Sequence, residues 1–282
     1  NQSIYYLMLS ANNNHPIAQY TLGNLYLYGR HVKKDINKAL HYYELSAKQN
    51  YSDSNYMLGL IYYEGNLVTK DFNKAIHYLT LSANQNNPKA QGLLGSFYYF
   101  GEFETKDIYK AIHYLTLSAK QGHEYSQFLL GFIYFSPDYA VQDINKSIHY
   151  FSLSADQFCS EANYFLGYIY YNGLFIERNI PKAIDYFTLS AKQNNDMAQY
   201  YLGHIYYMNE FVPRDFQKAI HYLTISADQG NSDAQFLLGF IYFDGKFVER
   251  NMCKAIYNFT RSSAQNNKDS LFYISSLYYM GE

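Results

Sequence analysis

The sequence predicts an all-α fold, a right-handed superhelical α-solenoid of antiparallel helix pairs with a 36-residue period. Three observations predict it. Gly23, Gly59, Gly95, Gly131, Gly167, Gly203 and Gly239 recur at that spacing without an insertion, and Ser275 takes the next place. Tyr26, Tyr62, Tyr98, Tyr134, Tyr170, Tyr206, Tyr242 and Tyr278 keep the same beat, as do Lys38, Lys74, Lys110, Lys146, Lys182, Lys218 and Lys254. None of the five prolines interrupts the interior of an expected helix, where proline costs about 3 kcal/mol. A fixed period of this length marks a repeat array in which each unit is one supersecondary element.

Each unit reads as two helices. In the stretch Ala234 to Gly245, the residues Ala234, Leu238, Ile241 and Tyr242 share one face of helix A, and Gly245 closes it as a left-handed C-terminal residue. Helix B opens at Asp215, whose carboxylate can accept from the free amides of the first turn. Asp35, Asp71, Asp107 and Asp143 hold the same slot, with Asn179 and Asn251 as equivalent caps. Pro16 and Pro88 are expected just before helix A, Pro181 in the first turn of helix B, and Pro137 and Pro213 in the A–B connection.

The two helices differ in polarity. On helix B, Asn37, His41, Glu44 and Lys48 form a polar stripe opposite Ile36, Ala39, Leu40, Tyr43 and Ala47. Helix A is apolar on nearly every side, as in Tyr164, Phe165, Leu166, Tyr168, Ile169, Tyr170 and Tyr171. One hairpin cannot bury such a surface, so neighbouring hairpins must cover it. Full units starting at 18, 54, 90, 126, 162, 198 and 234, between partial units 1–17 and 270–282, are therefore expected to form one continuous solenoid over 1–282. The chain opens on Ser3-Ile4-Tyr5-Tyr6, in the middle of a helix B, and stops at Gly281-Glu282 after a helix A. With no initial Met and no polar capping helix, it is expected to be part of a longer protein.

Composition narrows the function. A net charge of −2 gives no basic footprint for nucleic acid. No apolar run reaches the roughly 18–20 residues of a membrane span, so no direct membrane insertion is expected. Cys159 and Cys253 occupy different repeat phases and form no disulfide framework, which fits a reducing compartment. The expected location is cytoplasmic, with cytoskeletal association, a lumen or secretion as alternatives. Sequons at Asn1, Asn50, Asn145 and Asn258 are expected by chance in a chain so rich in Asn and Ser. The 35 Tyr and 20 Phe could stack bases, but they sit at core phases without interleaved cations, so they are read as core.

The frame resembles the Sel1-like repeat family, a relative of the tetratricopeptide repeat. Leu58-Gly59, Tyr62, Gly65, Val68, Asp71, Lys74-Ala75, Ala83 and Gln85 carry the resemblance in one unit, with Ser54 where the pattern opens on alanine. The second glycine of the pattern's G-x-G-V is replaced by His31, Leu67, Phe103, Tyr139, Phe175, Phe211 and Phe247, so the A–B loop is expected to turn differently. The usual Trp of helix B is Tyr42, Tyr78, Tyr114, Tyr150, Tyr186 and Tyr222, with Asn258 last. Local irregularity is expected at Ser136-Pro137-Asp138 and at Asn209, where the loop glycine is lost. The cysteine count excludes the disulfide-bridged branch of the family. The resemblance implies an adaptor in multiprotein assemblies, such as membrane-protein quality control or host-interacting bacterial factors.

No catalytic, cofactor or metal constellation is expected. His41, His77, His113, His149 and His221 share one phase, but packed helices lie roughly 8–10 Å apart while zinc bonds are near roughly 2 Å, so they are read as a solvated stripe. No nucleophile elbow, phosphate loop, metalloprotease helix or paired-Cys pattern occurs. The variable slots carry the expected site. The slot after the glycine runs through Asn24, Leu60, Ser96, Phe132, Tyr168, His204 and Phe240. Four residues on it runs through Tyr28, Glu64, Phe100, Ser136, Asn172, Met208 and Asp244. Tyr28, Leu60, Glu64, Phe100, Phe132, Tyr168, Asn172, His204, Met208, Phe240 and Asp244 are accordingly expected to line a concave wall that grips a protein or peptide partner. Two alternatives stay open: a structural tile of a filament, coat or cytoskeletal array, and a regulatory or targeting arm of an enzyme whose catalytic domain lies elsewhere.

Overall fold

The computed structural model describes residues 2–102, 105–208 and 212–280, which contain sixteen α-helices and no strand. Two compact units divide the chain at Gln142 and Asp143. In the first unit α1 spans Gln2–Asn12, α2 Pro16–Tyr28, α3 Ile36–Lys48, α4 Ser52–Glu64, α5 Phe72–Asn84, α6 Pro88–Phe100, α7 Ile108–Ala119 and α8 Glu124–Phe135. The second holds α9 Ile144–Ala155, α10 Ser160–Asn172, α11 Ile180–Lys192, α12 Asp196–Met208, α13 Phe216–Asp228, α14 Ser232–Asp244, α15 Met252–Ser263 and α16 Lys268–Met280. Pro16 and Pro88 turn out to be the first residues of α2 and α6, where the missing N–H leaves no bond unmade.

The caps are those the sequence calls for. Oδ1 of Asp35, Asp71, Asp107, Asp143 and Asp215 accepts from the amide of the lysine three residues on, and Asn179 and Asn251 do the same. Each Lys38-type ammonium also lies 3.3–3.9 Å from its Asp, at the surface, where such pairs contribute about 0–1 kcal/mol. Gly29, Gly65, Gly101, Gly173 and Gly245 end their helices in the left-handed region. Where Ser136 replaces that glycine, α8 stops at Phe135 and the cap residue is extended (φ −69°, ψ 129°), the expected irregularity. Asn209 lies outside the described residues. At the G-x-G-V position, His31 (φ 62°) and Phe175 (φ 58°) adopt the glycine-like conformation without being glycine, whereas Phe103 and Phe211 lie outside the described residues.

The loop between A and B closes on itself. The amide of Asp71 donates to the carbonyl of Tyr62 at 3.0 Å, and Asp35–Tyr26, Asp107–Tyr98, Asn179–Tyr170, Asp215–Tyr206 and Asn251–Tyr242 repeat the bond. The helix-B tyrosine in the family's Trp slot then stacks on the ring of that same helix-A tyrosine. Tyr26–Tyr42, Tyr62–Tyr78, Tyr98–Tyr114, Tyr170–Tyr186 and Tyr206–Tyr222 lie 5.8–6.3 Å apart and within 9° of parallel. The regular lysine sits over the helix-A ring, as Lys74 over Tyr62 at 4.9 Å. One repeated Tyr–Tyr–Lys unit thus accounts for three of the positions that keep register.

In six hairpins the helix-A glycine (Gly23, Gly59, Gly95, Gly167, Gly203 and Gly239) meets the middle of helix B. Leu22, Leu58, Leu94, Leu166, Leu202 and Leu238 beside it are buried, as are Ala39, Ala75, Ala111, Ala183, Ala219 and Ala255 opposite. Successive hairpins lean on one another within each unit. Leu79 and Ala83 of α5 pack with Ala90, Leu94 and Phe97 of α6, and Leu223 and Ala227 of α13 with Ala234, Leu238 and Ile241 of α14.

Candidate functional site

Two polar ladders that the sequence reading overlooked hold the hairpins in place. Ser46, Ser82, Ser118, Ser190, Ser226 and Ser262 are fully buried in helix B, and each donates through Oγ to the carbonyl of the residue 30 positions back, at 2.6–2.8 Å. A buried glutamine does the second task. Gln91 Nε2 donates to the carbonyl of Ala83 at 3.1 Å, while Gln121 Nε2 donates to Gln91 Oε1 at 2.8 Å. Gln19 with Gln49, Gln199 with Gln229 and Gln235 with Gln265 repeat this clamp. The signal was in the sequence, since all these residues recur at 36, but uncharged polar residues do not advertise a buried role.

On the helix-A wall, the two variable slots behave differently. Tyr28, Glu64, Phe100, Asn172, Met208 and Asp244 are exposed, and each is the last residue of its helix. Leu60, Phe132, Tyr168, His204 and Phe240 are only half-buried. Tyr168 meets Tyr201 edge-on at 5.8 Å, and Phe240 meets Tyr273 at 5.7 Å. His204 accepts from, or donates to, the Tyr171 hydroxyl at 3.2 Å. Asn24 accepts from the Tyr43 hydroxyl at 2.8 Å, and Ser96 and Ser136 are buried.

These contacts gather part of the predicted set. Tyr168 and His204 belong to one aromatic cluster in the second unit, built round Tyr201, which touches Tyr164, Tyr168, Tyr171, Phe187 and Tyr200. Burial pushes the phenols of Tyr164 and Tyr200 up to about 12, so both remain neutral donors at ordinary pH. Phe240 belongs to a second cluster with Phe236, Phe243, Phe259 and Tyr273. In the exposed slot Tyr28, Phe100 and Met208 leave 58%, 55% and 46% of their surface open.

On helix B, His41, His77, His113, His149 and His221 are exposed, and each lies edge-on to the tyrosine that follows it, at 5.2–5.5 Å. Among the described residues, no group of three His, Cys, Asp or Glu could hold a metal ion. Nor is any helix among them long and apolar enough to cross a membrane. Cys159 donates through Sγ to Glu161 Oε2 at 3.6 Å, and Cys253 is exposed.

Comparison with known proteins accords with this frame. No match was found among curated protein sequences. The crystal structure of c5321, a protective antigen of uropathogenic Escherichia coli strains displaying an SLR fold, is 30% identical with a TM-score of 0.90 over 99% of this chain. The chain spans 60% of that antigen's length. A Sel1 repeat protein from Oxalobacter formigenes is also 30% identical, with a TM-score of 0.75 over 98% of this chain and 80% of its own. Sel1-repeat solenoids are typically non-catalytic scaffolds, and proteins of this kind generally mediate protein–protein interaction. The Sel1 repeat profile matches residues 16–51, 52–87, 88–123, 124–157, 160–195, 196–231 and 232–267, and the chain belongs to the Sel1 repeat family.

Proposed function

We propose that this chain is an adaptor that grips a protein or peptide partner along its helix-A wall, the side that the sequence assigns to a concave face, within a larger assembly. One observation carries the reading. At the last residue of helix A the frame is fixed and the side chain is exposed, yet its identity changes from unit to unit: Tyr28, Glu64, Phe100, Asn172, Met208, Asp244. Packing does not set these residues, so a partner's shape and charge can. Large apolar side chains on a rigid wall are the usual anchors of such contacts. The half-buried Leu60, Phe132, Tyr168, His204 and Phe240 would then supply the floor.

The test is a pull-down with the tagged full chain against the chain carrying Tyr28→Ala, Phe100→Ala and Met208→Ala. The reading expects the bound protein to be lost while circular dichroism stays unchanged. Retention of the same partner by the triple variant would refute it.

A further inference from the structure

The irregular loop after α8 carries a phenol where no other unit does. Tyr139 stands in the place of His31, Leu67, Phe103, Phe175, Phe211 and Phe247. Its backbone is pinned on both sides. Ser136 Oγ donates to Asp138 Oδ2 at 3.1 Å and accepts from the Asp138 amide at 3.3 Å. The Gln142 amide donates to the Tyr139 carbonyl at 3.2 Å. The side chain is partly exposed, with its hydroxyl near the surface.

Lys106, in the preceding A–B loop, brings a cation to that phenol. Its Nζ donates to Tyr139 Oη at 2.5 Å and lies 4.4 Å from the centroid of the Tyr99 ring. The repeat sets this placement. Lys70 sits over Tyr63 at 5.1 Å, Arg178 over Tyr171 at 5.2 Å, and Arg214 lies 4.6 Å from the ring of Phe247, the counterpart of Tyr139. Where that ring is Phe247 the cation meets only carbon, whereas Tyr139 offers an oxygen that can lose a proton. Tyr99 is buried, and its hydroxyl oxygen lies 3.5 Å from that of Tyr139. Burial pushes the Tyr139 hydroxyl up, but hydrogen bonds from Lys106 and Tyr99 and the Lys106 charge outweigh it. The hydroxyl therefore lies below its ordinary value, with Asp138 opposing. Tyr99 moves the other way, raised by burial first and by its bond to Tyr139, so it keeps its proton to donate.

We propose that Tyr139 is a nucleophilic phenol and a covalent modification site, which takes electrophiles at a sulfur(VI) centre that carries a leaving group. An ammonium on the oxygen favours the phenolate, which is the attacking form. In the reaction with a sulfonyl fluoride the phenol proton goes to solvent and the phenolate oxygen bonds to sulfur. The S–F bond breaks and fluoride leaves with its electron pair, so neither oxidant nor reductant is needed. Lys106 stays charged throughout, and the Tyr99 hydroxyl gives the oxygen a second donor.

The test labels the full chain with p-toluenesulfonyl fluoride and reads initial rates at each tyrosine by peptide mass spectrometry. Tyr109, in the same unit and 72% exposed, is the reference. Each unit of lowered pKa gives about ten times more phenolate, offset by weaker nucleophilicity, for a net gain of about threefold. At neutral pH Tyr139 should therefore react about threefold faster than Tyr109 or more, although it is less exposed. Lys106→Gln places the residue that Gln142 supplies one unit on, and should remove this advantage with circular dichroism unchanged. Lys106→Arg, the residue of Arg178, Arg214 and Arg250, should keep it. The proposal is overturned if Tyr139 reacts no faster than Tyr109, or if Lys106→Gln leaves its rate unchanged. It is overturned equally if Lys106→Arg lowers that rate as far as Lys106→Gln does.

Discussion

Gly167 in α10 lies against the ring of Phe187 in α11 so closely that an added Cβ would come within 2.6 Å of Phe187 Cδ1. Phe187 is fully buried and has nowhere to go. The same relation joins Gly23 to Tyr43, Gly59 to Leu79, Gly95 to Leu115 and Gly203 to Leu223, which is why glycine keeps its beat. Gly167→Ala should cost about 1–3 kcal/mol in urea unfolding through overpacking. Should the variant match the native midpoint, close approach is not what the glycine provides.

His123 gives the first unit a pH dependence. It caps α8, with Nδ1 accepting from the Ser126 amide at 3.3 Å and lying 2.8 Å from the Ser126 hydroxyl, an arrangement that needs the neutral ring. Burial holds its pKa below 6.5, helped by Lys89 and opposed by Glu124. The unfolded chain therefore binds the proton more readily than the folded one. Stability from this group is present above 6.5 and is lost as pH falls through the lowered folded value. Thermal unfolding between pH 7 and 5 should show that loss, and His123→Asn, matching Asn87 and Asn231, should flatten it. An unchanged slope in the variant would assign the effect to another group.

Phe158 occupies a turn position that is costly for a residue with a side chain. The turn from helix B to helix A takes a left-handed residue, filled by Asn50, Asn86, Asn194 and Asn266 or by Gly122 and Gly230. Phe158 adopts the same conformation at φ 68° with 82% of its surface exposed. An L residue pays about 1–2 kcal/mol there, and asparagine pays less. Phe158→Asn should therefore raise the unfolding free energy by roughly 0.5–1 kcal/mol. A lower melting temperature would show that the phenyl ring has a stabilising contact.

The frame was legible because it rests on residues with strong local signatures. Asp35 and its equivalents cap, Gly29 and its equivalents end helices, and the glycine, tyrosine and lysine beats carried the period. The clamp of Gln91 and the ladder of Ser118 were not legible, because a buried amide and an exposed one look alike in sequence. The candidate wall was legible only in part. Its variable slots stood out as Tyr28 and Tyr168, but sequence could not say that Tyr28 would be open and Tyr168 wedged against Tyr201. That split depends on how far one hairpin leans on the next. Spacing along a single helix does not encode it.

Amide hydrogen exchange on the full chain carrying Tyr201→Ala tests most directly whether hairpins hide their rings only in their neighbours. Tyr201 in α12 packs on Tyr164, Tyr168 and Tyr171 of α10 and stacks on Phe187 of α11 at 5.0 Å. Protection should fall in α10 and α11 as well as in α12. Loss confined to α12 and α13 would mean that each hairpin stands alone.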